Sequence, residues 1–118
     1  MLAACVDHGP PLEPAAAALR LRRAGYRITD ARPPYAIAKL AERRGVTGGG
    51  CFDAVLGASI DTFCVVLCRD SWTCARLLGE TGETYGDWQR GASLIVHVRC
   101  GVKHGAIDCV SARSLLAG

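Results

Sequence analysis

The chain has 118 residues, of which 50% are apolar and 21% are charged, and its formal net charge is +3. This length suits one domain and is too short for two. The mild positive charge and the low aromatic content of 6% argue against nucleic acid as the primary partner. No apolar run approaches the roughly 20 residues that span a bilayer, and no signal peptide is recognisable, so we expect no membrane contact.

Residues 1–45 are predicted to form an N-terminal arm followed by a helical region. A first helix is predicted over residues 13–23, because its alanines favour helix and Pro14 suits a first turn. A second is predicted over residues 34–44, where Gly45 would end it. The first half of the chain is therefore expected to be mainly helical.

The second half mixes helical and strand patterns. The segments "CFDAVLGASI" and "SWTCARLLGE" have helical spacing and are predicted helices, whereas "TFCVVLC" fits either a strand or a buried helix. The segments "ASLIVHV" and "HGAIDCVSA" are predicted to form an antiparallel hairpin. We therefore expect an α+β domain.

Cysteine is unusually abundant in this chain. The seven residues are Cys5, Cys51, Cys64, Cys68, Cys74, Cys100 and Cys109. Their odd number and the lack of a signal peptide predict mostly reduced thiols in a reducing compartment, the cytoplasm. Cys64, Cys68 and Cys74 lack the close CxxC pairs of zinc sites, so we expect no metal and no cofactor.

The segment "GVTGGGCFDAVLGAS" is the strongest candidate for a catalytic site. Three glycines precede Cys51, and Phe52, Val55 and Leu56 after it have helical spacing. A thiol at a helix N-terminus has a lowered pKa, and the free backbone N–H groups there, at Gly50 and Cys51, can hold an oxyanion. The pattern predicts Cys51 as a nucleophile.

A thiolate nucleophile also needs a base, usually histidine. His104 is the preferred candidate because it opens a predicted strand beside a glycine, and His97, within an apolar strand, is the alternative. Asp87 and Asp108 are candidates for orienting the imidazole, although a dyad needs neither.

The pieces "GGCFDAVL" and "LIVHVRCGVKHGAIDCVSA" resemble the papain-like cysteine leader proteases of positive-strand RNA viruses, such as hypovirus leader proteases and the potyvirus helper-component proteinase. The resemblance covers roughly residues 46–118, which would be the protease core after residues 1–45. It implies a papain-like fold, with a helical N-terminal half and a nucleophile helix packed on a small C-terminal antiparallel sheet.

The resemblance also implies self-cleavage from a polyprotein. Cys51 would attack the carbonyl of Gly118, while Leu115, Leu116 and Ala117 occupy the cleft as the substrate tail. The chain's own C-terminal segment would then be its substrate, host defence factors would be further partners, and the host cytoplasm its location.

Two alternatives remain open at the level of sequence. A bacterial cell-wall peptidase of the Cys-His type would share the nucleophile and the histidine-bearing strand. Alternatively, "LRRAGYRITDARPPYAIAKLAERRG" resembles the first helices of a ferric-uptake-type winged helix, which would make the chain a regulator or an interaction domain.

Overall fold

A computed structural model describes residues 9–81, 86–102 and 111–117 of the chain. Their elements are α1 (Pro14–Arg23), β1 (Arg27–Ala31), α2 (Tyr35–Leu40), β2 (Val46–Leu56), β3 (Ser59–Cys68), α3 (Ser71–Thr81), β4 (Gly86–Arg90), β5 (Ser93–Val102) and α4 (Ser111–Ala117).

The five strands form one sheet in the order β1-β2-β3-β5-β4, and every neighbouring pair is antiparallel. A short turn joins β2 to β3, with Gly57 at φ 59°, and a similar turn joins β4 to β5, with Gly91 at φ 59°. Glycine reaches these positive φ values without a steric penalty, so both hairpins close tightly.

Helices cover both faces of the sheet, which gives three layers. On one face, called here the α1/α4 face, Phe52, Phe63 and Ile95 pack with Leu21 of α1 and Leu116 of α4. On the other, the α2/α3 face, the sheet packs against α2 and α3. The contributing side chains there include Cys64, Val66, Val96, Ile37, Leu40 and Leu77. Because side chains alternate along a strand, each central strand supplies both cores.

Helix α3 is tied to the end of β3 by two local features. The Asp70 carboxylate accepts hydrogen bonds from the backbone N–H and the hydroxyl of Thr73, each at 2.8 Å. These bonds hold the pKa of Asp70 below its usual value. A disulfide between Cys68 and Cys74 then links the last residue of β3 to the first turn of α3.

The structure corrects the predicted fold. The class is α+β, but the N-terminal half is not helical: β1 and β2 occupy much of it, and α2 spans only Tyr35–Leu40. The predicted helix from Cys51 is wrong, since this segment forms the second half of β2, the turn after it and the first residues of β3. A papain-like nucleophile helix is therefore absent from the described residues. The helix at "SWTCARLLGE" and the strand at "ASLIVHV" are confirmed.

The predicted C-terminal hairpin is also corrected. Strand β5 pairs with β3 on one side and with β4 on the other, so its first half has no free edge for a further strand. Residues 104–110 lie outside the described part of the chain, and Ser111 and Ala112 belong to α4 rather than to a strand.

The prediction of mostly reduced thiols is wrong for the described cysteines. Cys51 is bonded to Cys64, Cys68 is bonded to Cys74, and Cys100 is also disulfide-bonded. Within the described ranges, no helix has the length and the apolar character required to cross a membrane.

Candidate functional site

Cys51 lies in the middle of β2, directly opposite Cys64 of β3, and the two sulfurs form a disulfide. A sulfur in a disulfide has no thiolate with which to attack a carbonyl. The amides of Gly50 and Cys51 belong to a strand, so the predicted oxyanion site at a helix N-terminus is wrong as well. In this oxidised form Cys51 is not a nucleophile.

His97 lies on the opposite face of the sheet from Cys51. Its ring stacks on Phe63 at a centroid distance of 4.3 Å, and Phe63 belongs to the core under α1 and α4. Cys51 packs instead with the core under α2 and α3. The sheet therefore separates the two side chains, so they do not form a dyad.

The imidazole of His97 has a different partner. Its Nε2 lies 2.9 Å from Oδ1 of Asp61, and both side chains are buried. Burial lowers the pKa of His97, while the Asp61 carboxylate opposes that shift. The neutral ring then donates its Nε2–H to Asp61, which satisfies a carboxylate within the core.

Asp61, His97 and Cys100 bring three potential metal-binding atoms within 4.8 Å of one another. Cys100, however, is disulfide-bonded, and a disulfide sulfur does not provide the thiolate that metals require. The arrangement therefore leaves a buried His–Asp pair rather than a complete set of metal ligands.

The predicted substrate tail is largely helical. Leu115, Leu116 and Ala117 belong to α4, and Leu116 is fully buried on the α1/α4 face. This placement differs from the predicted extended tail beside Cys51. Asp87 is on β4, which two other strands separate from β2, and burial raises its pKa. His104, Asp108 and Gly118 lie outside the described residues.

The structure instead forms a cavity of about 490 Å³ between α2 and the first half of β2. Ile37, Ala38 and Ala41 of α2 form one wall. The sheet forms the other wall, and its contributing residues are Val46, Gly48, Gly49, Gly50, Cys51, Val65 and Val66. Asp30, Ala31 and Pro33 complete the lining, so a mostly apolar cavity has one carboxylate at its boundary.

The three glycines line this space with backbone atoms alone. Gly49 has a further constraint, since its φ is 148° and a Cβ there would lie 2.2 Å from the carbonyl oxygen of Val65. Only glycine allows β2 to approach β3 so closely at this point. Val46 and Gly48 flank an irregularity in the β2–β3 pairing at Thr47.

One edge of β2 is open beside the cavity. Strand β1 pairs with residues 51–55 of β2 and ends at Ala31, opposite Cys51. On that side, residues 46–50 have no neighbouring strand in the described part of the chain, and Thr47 and the three glycines are exposed. Alternate backbone N–H and C=O groups of such an edge point away from the sheet.

A polar cleft of about 400 Å³ continues from the cavity through the shared residues Asp30 and Ala31. Arg32, Arg99 and Asp53 line it, so charges of both signs are present. The hydroxyl of Thr62 donates to Oδ1 of Asp53 at 2.5 Å, which fixes that carboxylate. The candidate site thus combines an apolar cavity, a strand edge and a polar extension.

The glycines and Cys51 stand out in the sequence, but the helix predicted to begin at Cys51 is a strand. Ile37 and Ala38 could not be recognised as lining residues from the sequence, because only the position of α2 over β2 brings them to the site. Three consecutive glycines before a strand-like segment were the available signal of a close backbone approach.

Comparison of the chain with protein-family models, curated proteins and solved structures found no match.

Proposed function

We propose that this domain binds an extended segment of a partner polypeptide along the open edge of β2. The main observation in support is that β1 ends at Ala31, whereas residues 46–50 of β2 extend past it beside an apolar cavity. A bound segment would take the place that a longer β1 would occupy, and it would place an apolar side chain in the cavity.

The backbone of the partner would supply the part of the binding that does not depend on its sequence. An extended chain has the same spacing, about 3.3 Å per residue, as the strand it joins, so its N–H and C=O groups match an open edge. Gly48, Gly49 and Gly50 have no side chains to keep a partner away from this edge. The added strand would continue the ladder that β1 and β2 already form.

The cavity supplies selectivity. Successive side chains of a bound strand point to opposite faces of the sheet, so every second one would face α2. Ile37, Ala38 and Val66 present apolar groups to such a side chain. A volume of about 490 Å³ is within the usual range of ligand pockets. We therefore expect a preference for one large apolar residue at a fixed position.

We also infer that the domain works in an oxidising compartment. Five described cysteines take part in disulfides, and such bonds persist where thiols are not kept reduced. This inference replaces the host cytoplasm predicted from the sequence. It is tested by mass spectrometry of the chain isolated from its native source under acid quench, where free thiols at Cys68 and Cys74 would contradict it.

Peptide binding is tested with a displayed library of linear seven-residue peptides, screened against the full chain with its disulfides intact. Selected peptides are remade by synthesis and titrated by calorimetry. We expect sequences that share one apolar residue. Methylating the peptide nitrogens that face β2 should weaken binding about fivefold each, because each methyl group removes a hydrogen bond.

Two exposed alanines of α2 provide a matched pair of variants. Ala38→Leu places a larger side chain in the cavity and should weaken peptide binding about tenfold, whereas Ala36→Leu, outside the lining, should leave it unchanged. The proposal is overturned if no peptide is selected, or if backbone methylation has no effect. It is equally overturned if an apolar dye such as Nile red binds the cavity and no peptide competes.

The Cys51–His104 peptidase with cleavage after Gly118 stays a prediction, and it requires reduction of the Cys51–Cys64 disulfide. A chain extended beyond Gly118 should then cleave itself only in the presence of a reducing agent, and Cys51→Ala and His104→Ala should each stop cleavage. An intact wild-type chain under reducing conditions that preserve the fold would contradict this activity.

A further inference from the structure

We propose that the Cys51–Cys64 disulfide is a site of thiol–disulfide exchange that small-molecule thiols reach through the α2/β2 cavity, with Cys51 as the attacked sulfur. The inference concerns the disulfide itself, so it does not depend on peptide binding. Its basis is a difference in exposure between the two cysteine residues of this bond, and between this bond and the Cys68–Cys74 bond.

The two sides of the bond differ in their surroundings. Cys51 is partly exposed and lines the cavity, next to the exposed Gly50. Cys64 has 0% exposure and lies within the core under α2 and α3. Exchange requires the attacking thiolate to reach a sulfur atom, so only Cys51 offers a route that keeps the fold intact.

The neighbouring disulfide offers no such route. Cys68 is 6% exposed and Cys74 is 0% exposed, and neither lines the cavity. A thiol can reach that bond only after local opening of the packing between β3 and α3, which costs free energy. The Cys68–Cys74 bond is therefore an internal reference for exchange through the cavity.

The chemistry requires two equivalents of an external thiol. A first thiolate forms a bond to Sγ of Cys51 while the Cys51–Cys64 bond breaks, and Cys64 leaves with the electron pair as a thiolate and takes up a proton. A second thiolate then attacks the sulfur of the attached thiol, which releases Cys51 as a thiolate. The protein disulfide is reduced, and the two external thiols are oxidised to one disulfide.

The mixed disulfide has a structural consequence. The attached group would extend from Cys51 into the space between Ile37, Ala38 and the glycine edge of β2. If the proposed peptide site is correct, the adduct occupies the same cavity and should reduce peptide binding. This last expectation rests on the proposed function, whereas the exchange itself does not.

The experiment exposes the full oxidised chain to limiting glutathione at pH 8. Samples are quenched with acid, alkylated and mapped by mass spectrometry. We expect the Cys51–Cys64 bond to open at least about tenfold faster than Cys68–Cys74, because only the latter requires local opening. The trapped glutathione adduct should be on Cys51. Equal rates, faster opening of Cys68–Cys74, or an adduct on Cys64 would overturn the proposal.

The route is tested with the same pair of α2 variants. Ala38→Leu narrows the cavity and should slow exchange at Cys51 several-fold, whereas Ala36→Leu should not change it. Both substitutions are at exposed helical positions, so circular dichroism should show an unchanged fold. If both variants exchange at the wild-type rate, access through the cavity is wrong. A normal exchange pattern without any peptide binding would reject the proposed function alone.

Discussion

The role of His97 depends on which face of β5 it occupies. In the sequence it is one of two histidines downstream of Cys51, which made it a candidate base. In the structure it stacks on Phe63 and bonds Asp61, with the sheet between it and Cys51. The sequence placed His97 within an apolar strand but did not identify its carboxylate partner, which is 36 residues away.

At the same scale, we predict that the protein loses stability as the pH falls below about 6.5. Burial lowers the pKa of His97 below the value of about 6.5 that is expected for the unfolded chain. Below that pH the unfolded chain binds a proton that the folded chain does not, so the free energy of unfolding decreases. Urea unfolding at intervals from pH 7.5 to pH 5.5 measures the effect.

His97→Gln provides the control for this prediction. Glutamine can donate a hydrogen bond to Asp61 but does not titrate, so the variant should show a smaller decrease in stability over the same pH interval. If the free energy of unfolding falls equally with pH in the variant and in the wild type, a group other than His97 causes the loss of stability.

Strand β2 shows why a short apolar pattern did not define its element. Phe52, Val55 and Leu56 have helical spacing, yet the burial of Phe52 and Ala54 has the period of a strand. Pairing with both β1 and β3 decides the outcome, since the hydrogen bonds of a central strand come from distant segments. By contrast, α1 was predictable because its alanines favour helix locally and its proline suits the first turn.

For this element we predict that Gly49→Ala destabilises the protein by about 2 to 4 kcal/mol, because the new Cβ collides with backbone and the φ is unfavourable for alanine. The atom it would meet is the carbonyl oxygen of Val65, at 2.2 Å. Gly48→Ala is the matched control, since its nearest contact is a leucine methyl of Leu67 at 3.9 Å. Urea unfolding measures the free energy of unfolding of both variants. Equal losses of stability would refute the importance of the close approach between Gly49 and the Val65 carbonyl.

At the scale of the whole molecule, the two ends of the described chain meet on one face of the sheet. Leu12 and α1 pack with α4 in the same core, and the Arg90 guanidinium donates to the carbonyl oxygen of Leu116 at 3.1 Å. The last helix is therefore part of the packed structure rather than a tail laid across a cleft. From the sequence, only an amphipathic spacing could have indicated that α4 is a packed helix. A helix of seven residues is too short to show that spacing clearly.

We predict that Leu116→Ala lowers the free energy of unfolding by about 2 to 4 kcal/mol, because it leaves a cavity in the core. Leu115→Ala, one residue earlier, should cost less than about 1 kcal/mol, since that side chain is 38% exposed. Thermal unfolding monitored by circular dichroism measures both. Similar losses for the two variants would mean that α4 does not pack as described.

The sequence by itself determined the α+β class, helices α1 and α3 and the strand character of β5. These features depend on local propensity, capping residues and short-range patterning. Only the tertiary structure decided that Cys51 is bonded to Cys64, that His97 faces the other side, and that the glycines border a cavity beneath α2. Strand pairing brings residues from distant parts of the chain into contact, and the face on which each side chain lies follows from the register of that pairing.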